Sequence, residues 1–191
     1  GGAGRVDLGI MGLTDQIWAS DNTDPFDRLS IQDGFTHAYA PGVMMDWVSD
    51  SPNWVNNRVT SLGYRFLSAM QGALGIGANL NKWGEGEFAS AARMVAAYKQ
   101  VRQTVQQGDL YRLIRPDDAS GRIANFYVSP DKRQAILFAF LHSSTKLDRQ
   151  PAIQLVGLDR QKQYRVKSID GDAPGETQSG AYWMGHGVDA S

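Results

Sequence analysis

The sequence predicts a chain of two parts, mixed α/β up to residue 108 and all-β beyond it. Before this point, one long segment carries apolar residues at three- and four-residue steps, which is typical of an amphipathic helix, and Gly108 stands where a C-terminal cap belongs. After it, short β-rich runs alternate with turn formers, which favours an antiparallel sheet or sandwich. We therefore divide the chain into residues 1–108 and 109–191.

Composition limits the classes of function. The chain has 191 residues, 42% of them hydrophobic, which suffices for one large domain or two small ones with a core. Nucleic acid is not an expected partner, because 20 acidic against 19 basic residues leave no basic face to neutralise phosphates. No apolar run approaches the ~20 residues that span a bilayer, so no membrane segment is predicted. The absence of cysteine excludes a disulfide framework and a cysteine nucleophile within this chain.

The α/β part begins with a predicted strand, loop and helix between residues 14 and 40. Turn formers crowd residues 20–25, and the tail of this cluster suits a helix start. Asp24 can accept a hydrogen bond from the free N–H groups of the first turn, and Pro25 fits the first helical position. Asp21 is therefore expected on the loop between the strand and the helix.

Three further segments precede the end of the α/β part. Residues 43–58 are expected to be irregular, residues 60–70 to form a helix, and residues 74–77 to form a short apolar stretch punctuated by glycine. The long helix follows, with an apolar face formed by Phe88, Ala91, Val95, Tyr98, Val101 and Val105.

The all-β part is predicted from five short runs with turns between them, and from residues 182–184, which resemble the middle of a further strand. The chain opens on Gly1 with no initiator Met and stops shortly after this last run, so we expect both ends to be cuts through a larger chain. The five runs are residues 110–114, 123–128, 135–141, 153–156 and 164–169.

Two places in the first part could carry chemistry. The glycines of residues 1–5 could cradle an anion or a hydroxyl-rich ring, but a tight turn is the simpler interpretation, because the lysine of a phosphate loop and the spacing of a dinucleotide site are missing. Asp21 would be well placed for acid–base work if its strand belongs to a βα-barrel, whose active site is built by the loops after the strands. The alternative is a turn aspartate that bonds its own backbone.

No metal site or cofactor is predicted. The three histidines, His37, His142 and His186, are far apart and share no ligand spacing, and neither a metalloprotease HExxH pair nor a GxSxG nucleophile motif occurs. The five tryptophans could stack on sugar rings, although core filling is their commoner role.

Six longer stretches of sequence identify a protein family more specifically than any of these single features. They are GGAGRVDLGIM at residues 1–11, IWASDNTDPFDRLSIQDG at 17–34, SDSPN at 49–53, RFLSAMQGALGIGANL at 65–80, YKQVRQTVQQGDLYRL at 98–113 and SGAYWMGHG at 179–187. Together they resemble the glycoside hydrolase family 36 α-galactosidases, and the similarity runs along essentially the whole chain.

The resemblance implies an architecture of a large N-terminal β-domain, a catalytic (β/α)8 TIM barrel and a C-terminal antiparallel β-domain. Residues 1–108 would be the C-terminal portion of the barrel, and residues 109–191 an antiparallel β-sandwich that is incomplete at its C-terminus. Gly1 and Gly2 match positions of a barrel loop that line the galactose pocket, whereas Ala3 departs from the usual glycine. The resemblance also places Trp47 beside the active site, at a position where relatives often carry histidine.

By the same resemblance, Asp21 matches the family's general acid/base. The family's nucleophile is an aspartate in a Lys-Trp-Asp motif on an earlier strand, and this motif does not occur in the present residues. The implied enzyme is a retaining α-galactosidase that removes terminal α-D-galactosyl residues from melibiose- and raffinose-type oligosaccharides. It would be a cytoplasmic homo-oligomer without cofactor or metal. This chain would be inactive alone and would need the N-terminal remainder of the polypeptide.

Alternatives stay open at the level of sequence. A family relative could transfer galactose to another sugar or remove α-N-acetylgalactosamine, and residues outside this chain would decide between these reactions. A non-catalytic β-sandwich module that only binds sugar is an alternative of a different class.

Overall fold

The computed structural model describes residues 6–141, 143, 150–169 and 175–189. The chain divides into two compact units, Gly1–Gln107 and Gly108–Ser191. No helix within the described ranges is long and apolar enough to cross a membrane.

The first unit alternates strands with helices, as the sequence predicts. A helix follows each of three strands, so the chain repeats a strand–helix step three times. In chain order the elements are α1 (Leu8–Met11), β1 (Ile17–Trp18), α2 (Pro25–Thr36), β2 (Met44–Val48), α3 (Leu62–Ala69), β3 (Ala73–Ile76) and α4 (Glu85–Gln107), with short 3-10 helices at Pro41–Val43 and Leu80–Lys82.

The three strands form a parallel sheet in the order β1–β2–β3. Trp18 of β1 pairs with Met45 of β2, which pairs in turn with Ala73 of β3. Because parallel strands have their carboxyl ends at the same edge, the loops after β1, β2 and β3 share one edge of this sheet. Asp21 lies in the first of these loops.

Helix α2 begins where the sequence predicts, with Pro25 in its first turn. The Asp24 carboxylate accepts hydrogen bonds from the backbone N–H groups of Phe26 and Asp27, both at 3.0 Å. Arg58 forms an ion pair with the same carboxylate. Because Asp24 is fully buried, these contacts compensate for the removal of its charge from water.

The sequence predicts an irregular segment at residues 43–58, and this prediction is wrong for its first part, which forms β2. The misleading residue is Asp46, because a charged side chain at the centre of a strand argues against burial. In the structure Asp46 is fully buried and paired with Arg28 of α2, which makes the strand compatible with the interior.

Helices α3 and α4 confirm the two later helix predictions of this unit. On α4 the predicted apolar face is right at Ala91, Tyr98 and Val105, whereas Phe88 is exposed. The core draws side chains from β2 and from the helical segments around it, and its fully buried members include Leu29, Met44, Val48, Phe66, Met70 and Val105.

The second unit contains antiparallel sheets, which confirms the predicted strand type, whereas the packing of a sandwich stays a prediction. One sheet pairs strands in sequence order, and a two-stranded sheet is followed directly by a helix. The first sheet comprises β4 (Asp109–Ile114), β5 (Arg122–Val128) and β6 (Ala135–Leu141); β7 (Gln163–Val166) pairs with β8 (Glu176–Ser179), and α5 (Gly180–His186) follows.

Two predictions for this unit are wrong. Residues 153–156 form no strand, and Ile153 makes only an isolated bridge to Val188. Leu155 is nevertheless buried, in a core cluster with Phe126, Val128, Leu158 and Trp183, which explains the strand-like apolar pattern of the run.

Residues 182–184 lie in α5 rather than in a strand. Ser179 caps this helix by accepting a hydrogen bond from the backbone N–H of Tyr182 at 3.1 Å. Trp183 is buried, and its indole N–H donates to the carbonyl oxygen of Tyr164 at 3.0 Å. Tyr182 stacks on His186 one turn later, with ring centroids 5.0 Å apart. A run of three apolar residues is too short to distinguish the helical period from the strand period.

Candidate active site

Asp21 lies on the loop after β1, and its side chain is exposed. Its Oδ1 atom accepts a hydrogen bond from the indole N–H of Trp18 at 2.9 Å. Within the part of the chain that the structure describes, the carboxylate thus bonds a side chain rather than the backbone of its own turn. An exposed carboxylate held by a neutral donor is able to exchange a proton with a bound ligand, as acid–base chemistry requires.

The loop that carries Asp21 is fastened to the start of α2 through Asn22. The backbone N–H of Asn22 donates to Ser20 Oγ at 3.2 Å, and its side-chain amide donates to Asp27 Oδ2 at 2.8 Å. Its Oδ1 atom accepts from the backbone N–H of Asp24 at 3.0 Å. These local bonds restrict the positions that the loop, and Asp21 with it, can adopt.

Arg28 of α2 connects the same loop to β2. Its guanidinium donates to the carbonyl oxygens of Ser20, at 3.3 Å, and Met45, at 3.2 Å. It also pairs with the Asp46 carboxylate, and its Cζ lies 4.8 Å from the centre of the Trp18 ring. Arg28 is only 3% exposed, so the fold rather than the solvent fixes the position of this charge.

Asp46 supports this arrangement from the interior. Burial raises the pKa of Asp46 from 3.8 to about 6, although the charge and hydrogen bond of Arg28 and a hydrogen bond from Gln32 oppose the shift. Loss of hydration therefore outweighs attraction at this carboxyl. Because Asp46 is fully buried, it is placed to hold Arg28 rather than to meet a ligand.

Two tryptophans lie side by side at this edge of the sheet. The ring centroids of Trp18 and Trp47 are 4.4 Å apart with 28° between the planes, and Trp47 is 42% exposed. Glycines make room for Trp47: a Cβ on Gly75 would lie 2.8 Å from its Cδ1, and a Cβ on Gly77 would lie 2.9 Å from its Cε3. The stacked pair therefore connects the carboxyl ends of β1 and β2, and the Trp47 ring also contacts the end of β3.

Polar side chains tie the three loops of this edge together. Ser49 Oγ donates to the carbonyl oxygen of Thr23 at 2.9 Å, and the Asn53 amide donates to Thr23 Oγ1 at 3.1 Å. The Asp50 carboxylate accepts from the backbone N–H of Asn79 at 3.0 Å, which joins the loop after β2 to the loop after β3.

Other residues singled out in the sequence are not brought to this edge. Gly1 and Gly2, expected to line the pocket, lie outside the described residues, as does His142. His37 caps the end of α2, with its Nε2 3.6 Å from the Asp33 carboxylate. Across the described ranges, no group of three or more His, Cys, Asp or Glu side chains is arranged to hold a metal ion.

Sequence reasoning missed the contacts of Trp18 and Arg28, whereas the family resemblance had singled out Trp47 as a residue beside the site. The spacing of Trp18 was a usable signal, because an indole donor three residues before a loop carboxylate can reach it. Arg28 gave no such signal, since only the fold brings it to the loop and to β2. Core filling, expected for the tryptophans, holds for Trp183, which is 5% exposed, whereas Trp54 is 70% exposed.

Comparisons with known families identify relatives of both parts of the chain. Residues 1–108 match the family model described as Melibiase, and residues 122–191 match the model described as the glycosyl hydrolase family 36 C-terminal domain. Alpha-galactosidase Mel36A of Lactobacillus acidophilus is 38% identical over 170 residues, which cover 89% of this chain and 23% of that protein. Alpha-galactosidase 2 of Hypocrea jecorina is 34% identical over 188 residues, covering 98% of this chain and 24% of that protein.

Solved structures show the same relationship. The crystal structure of the family 36 α-galactosidase AgaA from Geobacillus stearothermophilus superposes with a TM-score of 0.90 at 34% identity, covering 100% of this chain and 26% of that one. Variants of AgaA have been crystallised in complex with raffinose and with stachyose. The chain spans about a quarter of the length of the relatives it matches. By the family model that covers residues 1–108 and by these relatives, the chain belongs to the melibiase family, glycoside hydrolase family 36.

Proposed function

We propose that this chain supplies the general acid/base and the last part of the catalytic barrel of a retaining α-galactosidase. The exposed position of Asp21, in a loop at the carboxyl edge of a parallel sheet, supports this most directly, because the active sites of βα-barrels are built at that edge. The repeated strand–helix steps support a portion of a (β/α)8 barrel, and the antiparallel strands of the second unit support a C-terminal β-sandwich.

The substrates we propose are oligosaccharides that end in an α-galactosyl residue, of the melibiose and raffinose type. The raffinose and stachyose complexes of AgaA support this class, since AgaA belongs to the same family and has the same fold over this region. Both sugars carry a terminal α-galactosyl group, so one pocket for that group would serve the whole class.

In the proposed reaction, Asp21 is protonated when the substrate binds. It donates the proton to the departing glycosidic oxygen while a second carboxylate attacks the anomeric carbon, which gives a covalent galactosyl-enzyme. Asp21, now ionised, takes a proton from a water that attacks the anomeric carbon, and galactose leaves with its α configuration retained. Because the Trp18 N–H engages Oδ1, we assign the transferred proton to Oδ2.

The second carboxylate would come from the remainder of the polypeptide. No Lys-Trp-Asp motif occurs in residues 1–191, so the aspartate of that motif is assigned to an earlier strand of the barrel. A retaining mechanism needs the two carboxyl groups about 5 Å apart, which places the second one close to the loop after β1.

The variant Asp21→Asn in the full-length protein tests this role. Turnover of raffinose should fall by about 10²- to 10⁴-fold, because its leaving oxygen needs a proton. The kcat/KM for p-nitrophenyl α-galactoside should fall far less, because nitrophenolate departs without a proton. Its kcat should still fall, because the galactosyl-enzyme is then hydrolysed without a general base. Asp15→Asn, at another exposed acid of the same unit, is the matched control and should leave both substrates unaffected.

Equal and small losses on both substrates would contradict the assignment of Asp21. A full-length protein that turns over no α-galactoside, yet binds one, would support the sugar-binding module instead.

A further inference from the structure

We propose that Trp47 is a positioning residue for Asp21 and acts through Trp18, an inference that rests on the proposed role of Asp21 as acid/base. Trp47 lies on β2, whereas Asp21 follows β1, so the two are not connected by local chain geometry. Within this chain Trp47 is 42% exposed, and its ring stacks on Trp18 rather than packing into the core of the unit.

A continuous set of contacts runs from Trp47 to the acid. Trp47 stacks on Trp18 with ring centroids 4.4 Å apart, and the indole N–H of Trp18 donates to Asp21 Oδ1 at 2.9 Å. An indole rotates about two side-chain bonds, so a Trp18 ring without support could carry its N–H away from the carboxylate. The ring of Trp47 opposes such a rotation.

Trp47 is itself held by the neighbouring strand. Gly75 and Gly77 present bare backbone to it, and a Cβ at either position would come within 3 Å of its ring atoms. The ring therefore contacts β3 as well as Trp18. Any larger residue at these two positions would displace the Trp47 ring from its contact with β3.

Arg28 supports the same ring from α2. Its Cζ lies 4.8 Å from the centre of the Trp18 ring, and it donates to the carbonyl oxygen of Ser20, next to Asp21 in the chain. Arg28 is buried and also pairs with Asp46, so its replacement would disturb the interior. Trp47 can be changed with less disturbance, because its loss leaves no buried charge without a partner.

Positioning should affect the chemical step more than binding. The proton of a general acid must reach the leaving oxygen as the bond breaks, so an acid displaced by a fraction of an ångström lowers kcat. Contacts to the galactosyl ring are unchanged in the ground state, so KM should change little. The loss of kcat/KM should be large for raffinose and small for p-nitrophenyl α-galactoside, whose leaving group needs no proton.

The single variants are made in the full-length protein. Trp47→Ala should lower kcat for raffinose about tenfold, with KM within about twofold of the parent. Trp47→Phe keeps a ring that can stack on Trp18 and should recover most of this loss. Tyr182→Ala, at an aromatic residue of α5 in the second unit that is 37% exposed, is the matched control and should match the parent.

A double variant separates positioning from a general structural effect. Trp18→Phe removes the N–H but keeps an aromatic ring, and it should also lower kcat for raffinose about tenfold. If Trp47 acts through this N–H, Trp18→Phe combined with Trp47→Ala should be no slower than Trp18→Phe alone. Losses that multiply to about a hundredfold would overturn the inference. So would a Trp47→Phe variant as slow as Trp47→Ala, or equal losses on both substrates.

The role of Asp21 is tested separately by Asp21→Asn. If that variant shows no dependence on the leaving group, the acid/base assignment fails and this inference fails with it. If Asp21→Asn stalls raffinose while Trp47→Ala matches the parent, only the positioning role of Trp47 is wrong.

Discussion

Asp46 is an acid whose ionisation opposes folding. Its pKa of about 6 in the folded protein exceeds the value of 3.8 for an exposed aspartate. Between these two values the folded protein keeps a proton that the unfolded chain has released, so the free energy of unfolding falls as pH rises. The contribution is fully present below about pH 4 and is lost as pH rises through about 6.

Asp46→Asn removes this titrating group and should therefore flatten the pH dependence of stability. Between about pH 4 and pH 6.5, the unfolding free energy of the parent should fall by up to about 3 kcal/mol more than that of the variant. Urea unfolding at a series of pH values measures both curves. Asp15→Asn, at an exposed acid, should keep the parental slope; an Asp46→Asn variant that also keeps it would show that burial does not raise this pKa.

At the scale of elements, replacing glycine by alanine should have opposite effects on stability at two positions of the first unit. A Cβ on Gly72 would lie 2.7 Å from the carbonyl oxygen of Met44, a backbone atom of β2 that has little freedom to move aside. Around Gly63 of α3, nothing lies within 4 Å of the added Cβ. The sheet therefore leaves no room for a side chain at Gly72, whereas Gly63 has room for one.

Gly72→Ala should lower the free energy of unfolding by about 1–3 kcal/mol, because the added methyl group overpacks the interior. Gly63→Ala should raise it by about 0.5–1 kcal/mol, because alanine loses less conformational freedom in a helix. Denaturant unfolding of the two variants beside the parent gives both values. Destabilisation of similar size by both would mean that the approach of Gly72 to β2 is not the cause.

Elements with local signals could be predicted from the sequence. The cap formed by Asp24 and the proline after it define the start of α2, and apolar spacing defines α4. Strand β2 could not be predicted, because its central Asp46 is acceptable only when paired with Arg28, 18 positions earlier in the chain. Helix α5 was missed because three aromatic and apolar residues in a row fit either period.

In the candidate site, too, features with local sequence signals could be predicted, whereas contacts made by the fold could not. The loop position of Asp21 followed from the turn formers around it, and its proposed role followed from the resemblance of the whole motif to the family. The stacking of Trp18 on Trp47 depends on the pairing of β1 with β2, which no local pattern specifies. Sequence reasoning therefore reached Asp21 and the position of Trp47, but not the contacts that connect Asp21 to Trp18 and Trp18 to Trp47.

At the scale of the whole molecule, the proposed activity needs carboxylates from two parts of one polypeptide. Purified residues 1–191 should give no turnover of p-nitrophenyl α-galactoside, because the proposed nucleophile is not among them. The full-length protein, assayed in parallel, should be active. Turnover by residues 1–191 at the full-length rate would mean that both carboxylates lie within this chain.

The role of Asp21 is tested most directly by azide rescue of Asp21→Ala in the full-length protein. Azide attacks the galactosyl-enzyme without needing a general base, so it should raise turnover of p-nitrophenyl α-galactoside about tenfold or more and give α-galactosyl azide. Absence of rescue would contradict the acid/base role. Formation of β-galactosyl azide would contradict it as well, because azide would then be replacing the nucleophile.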